Sequence, residues 1–250
     1  MFKEIFLFEC RQQLTSPLFI AIALVFFLLA FMGMASENVQ IGGGTNNLNL
    51  NAPFTVIQTH FVMSIIAMFA IVAFVATPLT RDREQKTEET LIATGVGPVP
   101  FLFGRIGGGF LFAFMVSCAA VLGTLVGTFM PWLDPQRIAA FDAAPYWFSV
   151  WAVMLPNLLI MGSFVVVVAA LTRSQVASYT VLVAALIADI VVGENTDQET
   201  IATMALLDPF GFIAFEEVTR YWTVFDKNTL VPAVAGTLLA NRLIWFSLAA

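Results

Sequence analysis

Charge is what this sequence has least of. Its 250 residues include only 11 Lys or Arg and 17 Asp or Glu, 11% of the chain, where a soluble domain carries about a quarter. Histidine occurs once and cysteine twice. The cysteines fall in the N-terminal lead-in (Cys10) and inside an apolar run (Cys118), so a disulfide framework is excluded. A lone His60 has no carboxylate or thiol cluster near it in sequence, and it is expected to be a hydrogen-bonded residue at the membrane interface rather than a metal ligand. The sequence holds no H-E-x-x-H zinc pattern, no G-x-x-x-x-G-K-[ST] phosphate loop and no nucleophile motif. No catalytic residue, metal site or bound cofactor is expected in this chain, and any energy source must lie outside it.

What is present is apolar. Hydrophobic residues make up 59% of the chain, with 25 Phe, and the charge-free intervals are long enough for helices of roughly 20 residues that cross a bilayer. The expected fold is an all-α integral membrane protein, read as one transmembrane domain over residues 1–250. Complete spans are predicted at 17–35, 56–79, 106–130, 145–171 and 174–193. A sixth run begins at 242 and reaches residue 250 incomplete, so the native chain is expected to continue. The lead-in 1–16 places Phe2, Ile5, Phe6 and Cys10 near one helical face, as suits an uncleaved interfacial helix ahead of Ser16 and Pro17.

Orientation follows from Lys and Arg, which collect in cytoplasmic loops. An inside N-terminus puts Lys3, Arg11, Arg81, Arg83, Lys86, Arg105 and Arg173 on the cytoplasmic side. The net charge of −6 then resides in acids of the outer loops, Asp208, Glu216 and Glu217 among them, and gives no reason to expect a nucleic-acid partner.

One stretch gathers a quarter of all the charge: "TRDREQKTEET", Thr80 to Thr90. Pro78 is expected to end span two, Thr80 to cap a new helix, and Asp82 and Glu84 to occupy its first turn, where the helix dipole favours acids. The product is a short cytoplasmic helix with charges of both signs, suited to register against a complementary soluble partner. A solvated loop that only sets topology accounts for the basic residues but not for the four interleaved acids.

The same residues carry a resemblance. "RDREQKTEETLIATGVGPVPFLFGRIGG", Arg81 to Gly108, is similar to the loop after the second span of ABC-2 type ABC transporter permeases, of approximate pattern R-[DE]-[RK]-E-x-[GK]-T-x-E-x-[LI]-[LI]-x-[ST] followed by G-[RK]. Matching positions are Arg81, Asp82, Arg83, Glu84, Lys86, Thr87, Glu89, Leu91, Ile92 and Thr94, then Gly104 and Arg105. Departures are Lys86, where Gly is frequent, and "GVGPVP", where a Pro-Val-Ser type turn is frequent. The resemblance implies a six-span exporter-type permease whose 80–94 segment is a coupling helix docking on a separate ABC ATPase subunit. ATP and Mg would be bound by that partner. It implies a second permease subunit, identical or paralogous, and a place in the cytoplasmic (inner) membrane, embedded in the lipid bilayer. A narrower likeness, of "LTSPLF" and "LLDPFGFIAFEEVTRYW", is to the N-terminal permease half of larger proteins with an M1 aminopeptidase-like domain downstream. The alternative from another class is a membrane-anchoring or assembly scaffold that recruits a partner through 80–94 and transports nothing.

Three further features carry expectations. The outer segment 194–241 holds Phe210, Phe215 and Trp222 among Glu216, Glu217 and Arg220; the resemblance implies re-entrant helices forming an outer gate, and interface anchoring is the alternative. Gly104, Gly108, Gly123 and Gly127 make a small-residue stripe for close helix packing, within one subunit or between two. Pro156 should kink span four, and Asp189 is expected near the outer interface rather than at membrane depth.

Overall fold

A computed structural model describes residues 2–36, 48–84, 97–194, 197 and 199–249, and everything regular in them is helical. In chain order these are α1 (Phe2–Leu14), α2 (Pro17–Ala35), α3 (Pro53–Ile71), a π-helical turn (Val72–Ala76) and α4 (Thr77–Glu84). Then come α5 (Pro98–Thr128), a 3-10 turn (Pro135–Arg137), α6 (Ala144–Phe148), a second π-helical turn (Ser149–Met154), α7 (Leu155–Thr172) and α8 (Gln175–Glu194). Four shorter helices follow, α9 (Ile201–Leu207), α10 (Phe212–Thr219), α11 (Val224–Thr229) and α12 (Gly236–Ala249). Among the described residues, five helices are long and apolar enough to cross a membrane: Pro17–Ala35, Pro53–Arg81, Pro98–Thr128, Ala144–Thr172 and Gln175–Gly193.

The two π turns have one cause. Each ends two residues before a proline, Pro78 or Pro156, whose ring has no N–H to give and collides with the carbonyl four residues back. Widening the helix by one residue relieves the collision without breaking the rod. Pro78 therefore does not end the second span, as the sequence suggested, and Thr80 does not cap a new helix. The helix runs on through α4 to Glu84, with the buried Thr80 hydroxyl donating to the Ala76 carbonyl (3.3 Å).

α5 is the axis of the assembly. α2 lies along its C-terminal half and α1 along its N-terminal half. Close approach there depends on missing side chains: a Cβ at Gly123 would sit 2.3 Å from the Phe27 carbonyl oxygen, and one at Gly109 2.3 Å from that of Phe74. Small residues at helix crossings are how membrane helices gain contact when lipid is as apolar as leucine. Gly104 and Gly108 face α1 and Gly127 faces α2, so the glycine stripe is occupied by helices of the same chain. The main core joins Phe26 and Ala30 of α2, Met68 and Phe74, Phe112 and Val116 of α5, Leu158 and Val165 of α7, and Phe210. By contrast, α2 and especially α8 leave most of their apolar surface uncovered, including Leu24, Leu28, Ile187 and Ile190.

Candidate functional site

Among the described residues, two buried polar clusters built on charged side chains break this apolar interior, one at the α1 end of the bundle and one deep inside it.

The first is centred on Glu9. Although α1 has an apolar face, Glu9 and Gln13 share a stripe that turns inward against α5, and Glu9 is 0% exposed. Its Oε2 accepts from Arg81 Nη2 of α4 at 3.2 Å and lies 3.7 Å from Arg105 Nη1 of α5; Oε1 accepts from Gln13 Nε2 at 2.9 Å. Gln13 Nε2 also donates to the Phe74 carbonyl (3.2 Å), the group that Pro78 deprives of its helical donor. Arg105 Nη1 donates to the Pro78 carbonyl at 2.8 Å, and its guanidinium lies over the Phe101 ring. A single carboxylate thus ties α1, α4 and α5 together beside the first π turn. Gly108 makes room for it, since a Cβ there would come within 2.8 Å of Glu9 Cγ. Across the turn, Gln175 at the start of α8 donates to the Thr77 hydroxyl at 2.7 Å.

The motif residues divide around this cluster. Of Arg81–Thr94, Arg81 alone has a described side chain, and it pairs with Glu9; Arg105, the last matching position, joins the same cluster. Asp82, Arg83 and Glu84 continue α4 as backbone. Lys86, Thr87, Glu89, Leu91, Ile92 and Thr94 lie outside the described residues. α5 begins at Pro98, with Gly97 as its N-cap and Pro100 in its first turn, eight residues before the start expected at 106. The cluster makes α1 more than the interfacial lead-in expected from its apolar residues, because its polar stripe is its inner face.

The second cluster lies where the sequence placed an outer loop. α9 and α10 fold back into the bundle rather than resting on its rim: Phe210 and Phe215 are fully buried, and the Phe215 ring lies 5.1 and 5.3 Å from those of Phe61 and Phe54. Arg242 is the hub. Its Nη1 donates to Asn157 Oδ1 of α7 (2.7 Å) and its Nη2 to the Phe210 carbonyl (2.8 Å), while Asn157 Nδ2 donates to the Ser64 hydroxyl of α3 (2.8 Å). Ser64 lies eleven residues into α3, about 16 Å along a rod about 43 Å long. Arg242, read from sequence as the flank of span six, is instead 5% exposed inside α12, which begins at Gly236.

Asp208 is buried as well, against the outward placement its loop suggested. Its Oδ1 accepts from the Phe210 N–H and its Oδ2 from the Ile213 N–H, both at 2.7 Å, which fixes the turn into α10. Burial pushes its carboxyl above the ordinary carboxylate range, opposed by those N–H groups and by Arg242. Asn241 Nδ2 closes the turn by donating to the Ala205 and Asp208 carbonyls, both at 2.7 Å. Asp189 of α8 is half-buried and close enough to Asp208 for the two carboxyl groups to interact, so it faces this cluster. Of the other expected gate residues, Glu216 is exposed and Glu217, Arg220 and Trp222 are partly buried; they do not join Phe210 and Phe215 in the interior.

His60 is fully buried in α3, where its Nε2 bonds the Thr124 hydroxyl of α5 at 2.9 Å and its ring meets Tyr146 edge-on. No cluster of metal-ligating side chains occurs among the described residues. Sequence reading passed over Glu9, Gln13, Asn157, Arg242 and Asn241. For Asn157, and for the Asn241–Arg242 pair, a signal was available, polar groups inside an apolar run, where they cost several kcal/mol unless partnered; Glu9 and Gln13 lie in a mixed polar stretch that carries no such signal. Comparison with protein-family profiles and with curated proteins finds no match to the chain.

Proposed function

We propose that this chain is the permease subunit of an ATP-driven exporter, with Thr80–Thr94 as the segment that docks on a separate ATPase. Motif resemblance supplies the class, and one structural observation supports it. The first residues of the charged stretch, Thr80–Glu84, are the end of a continuous helical rod, Pro53–Glu84, and Arg81 there is bound through Glu9 to α1 and, by way of the same carboxylate, to Arg105 of α5. A partner pulling on such a segment moves three helices together, whereas a loop that merely sets topology needs no such anchorage. The π turn above the cluster is a place for that rod to flex, since π turns mark sites of local rearrangement. In this reading the N-terminus is cytoplasmic, the membrane is the inner membrane, ATP and Mg are held by the partner, and a second permease subunit completes the pathway.

The test must spare Arg81, whose reversal would disrupt the buried pair with Glu9. Arg83→Glu, Glu84→Lys and Glu89→Lys together should leave insertion of the chain unchanged while sharply lowering the ATP-hydrolysing activity that co-purifies with it. Opposite reversals on the ATPase should restore part of that activity. Co-purification of ATPase activity at the parental level would overturn the docking role. Parental docking with no ATP-dependent transport of any cargo would leave a scaffold.

A further inference from the structure

The Arg242 cluster is an expensive way to fix a helix. A guanidinium taken out of water loses several kcal/mol of hydration, and a well-packed methionine or leucine would hold the same place at less cost. Its direct partners are neutral oxygens, Asn157 Oδ1 and the Phe210 carbonyl, and no carboxylate is bonded to it among the described contacts. Asp208 attracts it from within the same turn, but both carboxylate oxygens of Asp208 are engaged by backbone N–H groups. The guanidinium also lies flat against Gly211, whose φ of 74° is a left-handed value and whose missing Cβ leaves the space: one built there would meet Arg242 Nη2 at 2.6 Å. The turn at Phe210–Gly211 is therefore shaped around Arg242.

The neighbouring contacts differ in kind on the two sides of the in-folded segment. Within it, the Asp208 turn and the Asn241 bridge hold α9, α10 and α12 to one another as a unit. Toward the α3 and α7 rods, by contrast, the described connections are aromatic packing, Phe215 on Phe54 and Phe61, Phe212 on Phe61 and Trp245 on Phe164, and a single polar chain, Arg242 to Asn157 to Ser64. Aromatic contacts slide; a charge-assisted hydrogen bond to an acceptor fixed on the rod does not.

We propose that Arg242 is a latch: seated within the unit by the Phe210 carbonyl, it holds α9, α10 and α12 in the closed, in-folded position through its bond to Asn157, and breaking that one bond lets Ile201–Thr219 withdraw from the bundle. When the latch opens, Arg242 leaves Asn157 and the unit moves with its internal bonds intact. This movement is independent of what docks on Thr80–Thr94, and it holds for a transporter and a scaffold alike.

The test uses the full chain in membrane vesicles, with Cys10→Ser and Cys118→Ser as background and Ala214→Cys as reporter, because Ala214 is fully buried on α10. A water-soluble maleimide should label this cysteine slowly. Adding Arg242→Met should speed labelling by about tenfold or more, the change expected for losing a charge-assisted bond, and Arg242→Lys should fall between. Asn157→Ala removes the anchor on the rod but none of the bonds inside the unit, so it should speed labelling too, and combining it with Arg242→Met should add little. Hydrogen exchange gives a second readout that needs no cysteine: Asn157→Ala should loosen peptides of 201–219 while those of α2 and α5 keep parental protection. Should Arg242→Met fail to insert, the Asn157→Ala measurements decide alone. Parental labelling and parental exchange in an inserted Asn157→Ala chain would overturn the latch, as would loosening spread evenly over α2 and α5.

Discussion

The two polar clusters use the same residue type in opposite ways. At the α1 end, one carboxylate is the hub and two arginines reach it; inside the bundle, one arginine is the hub and neutral oxygens surround it. Glu9 is fully enclosed, yet Arg81 keeps 16% of its side chain exposed, so the first cluster sits where a charge can still meet water. Arg242 has no such outlet. The first arrangement is built to stay closed, because opening it would strand ions; the second leaves behind only dipoles when it opens.

That contrast fixes an order of effects. Glu9→Leu strands two guanidinium groups, and breaking a buried pair from one side costs about 3–5 kcal/mol, so it should give the largest loss of thermal stability in detergent. Arg242→Met takes the donor from the Asn157 and Phe210 oxygens and a nearby cation from Asp208, whose own oxygens keep their backbone N–H partners, and it fills the volume, so its loss should be smaller, about 1–3 kcal/mol. Equal losses would erase the distinction between the clusters.

Next in size is the packing that brings the first cluster together. Gly109→Ala forces a methyl group against the Phe74 backbone at the π turn, where overpacking costs about 1–3 kcal/mol; Gly107→Ala, whose Cβ meets only the Phe6 ring at 3.4 Å, should cost much less. Thermal melts of the two variants side by side measure the difference, and a Gly107→Ala as damaging as Gly109→Ala would remove the π turn from the account. The smallest effect belongs to Arg81→Ala. Arg105 and Gln13 still hold Glu9, and Arg81 is the partly wetted partner, so the loss should stay near 1 kcal/mol or below and shrink further in high salt. A loss as large as that of Glu9→Leu would make Arg81 the hub instead.

Legibility in the sequence followed the length of the signal. The helix Pro17–Ala35 was readable to the residue because a 19-residue apolar run framed by Ser16, Pro17 and Ser36 admits one reading. Span two was cut short at Pro78 because a proline in a single sequence reads as a stop, while tertiary packing let a π turn absorb it and gave the freed Phe74 carbonyl to Gln13, sixty-one positions earlier. Span three was expected only from 106 because charge-free intervals set the spans and Arg105 bounds this one; α5 begins at Pro98, where proline suits a first helical turn, and buries Arg105 against Glu9. The in-folded segment was recognisable as aromatic and amphipathic, but Glu216, Glu217 and Arg220 drew attention to its polar face when its buried face carries Phe210 and Phe215.

Composition and charge spacing by themselves determined the helical, membrane-crossing character that five helices among the described residues carry, because a long apolar run needs no distant partner to declare itself. What only the tertiary structure decided is where the scattered polar residues go. Glu9 meets Arg81 across 72 positions and Arg242 meets Asn157 across 85, and no local pattern encodes such pairings. The physical reason is that hydrophobicity acts on each residue alone, whereas a buried charge is settled only by the partner that folding brings to it.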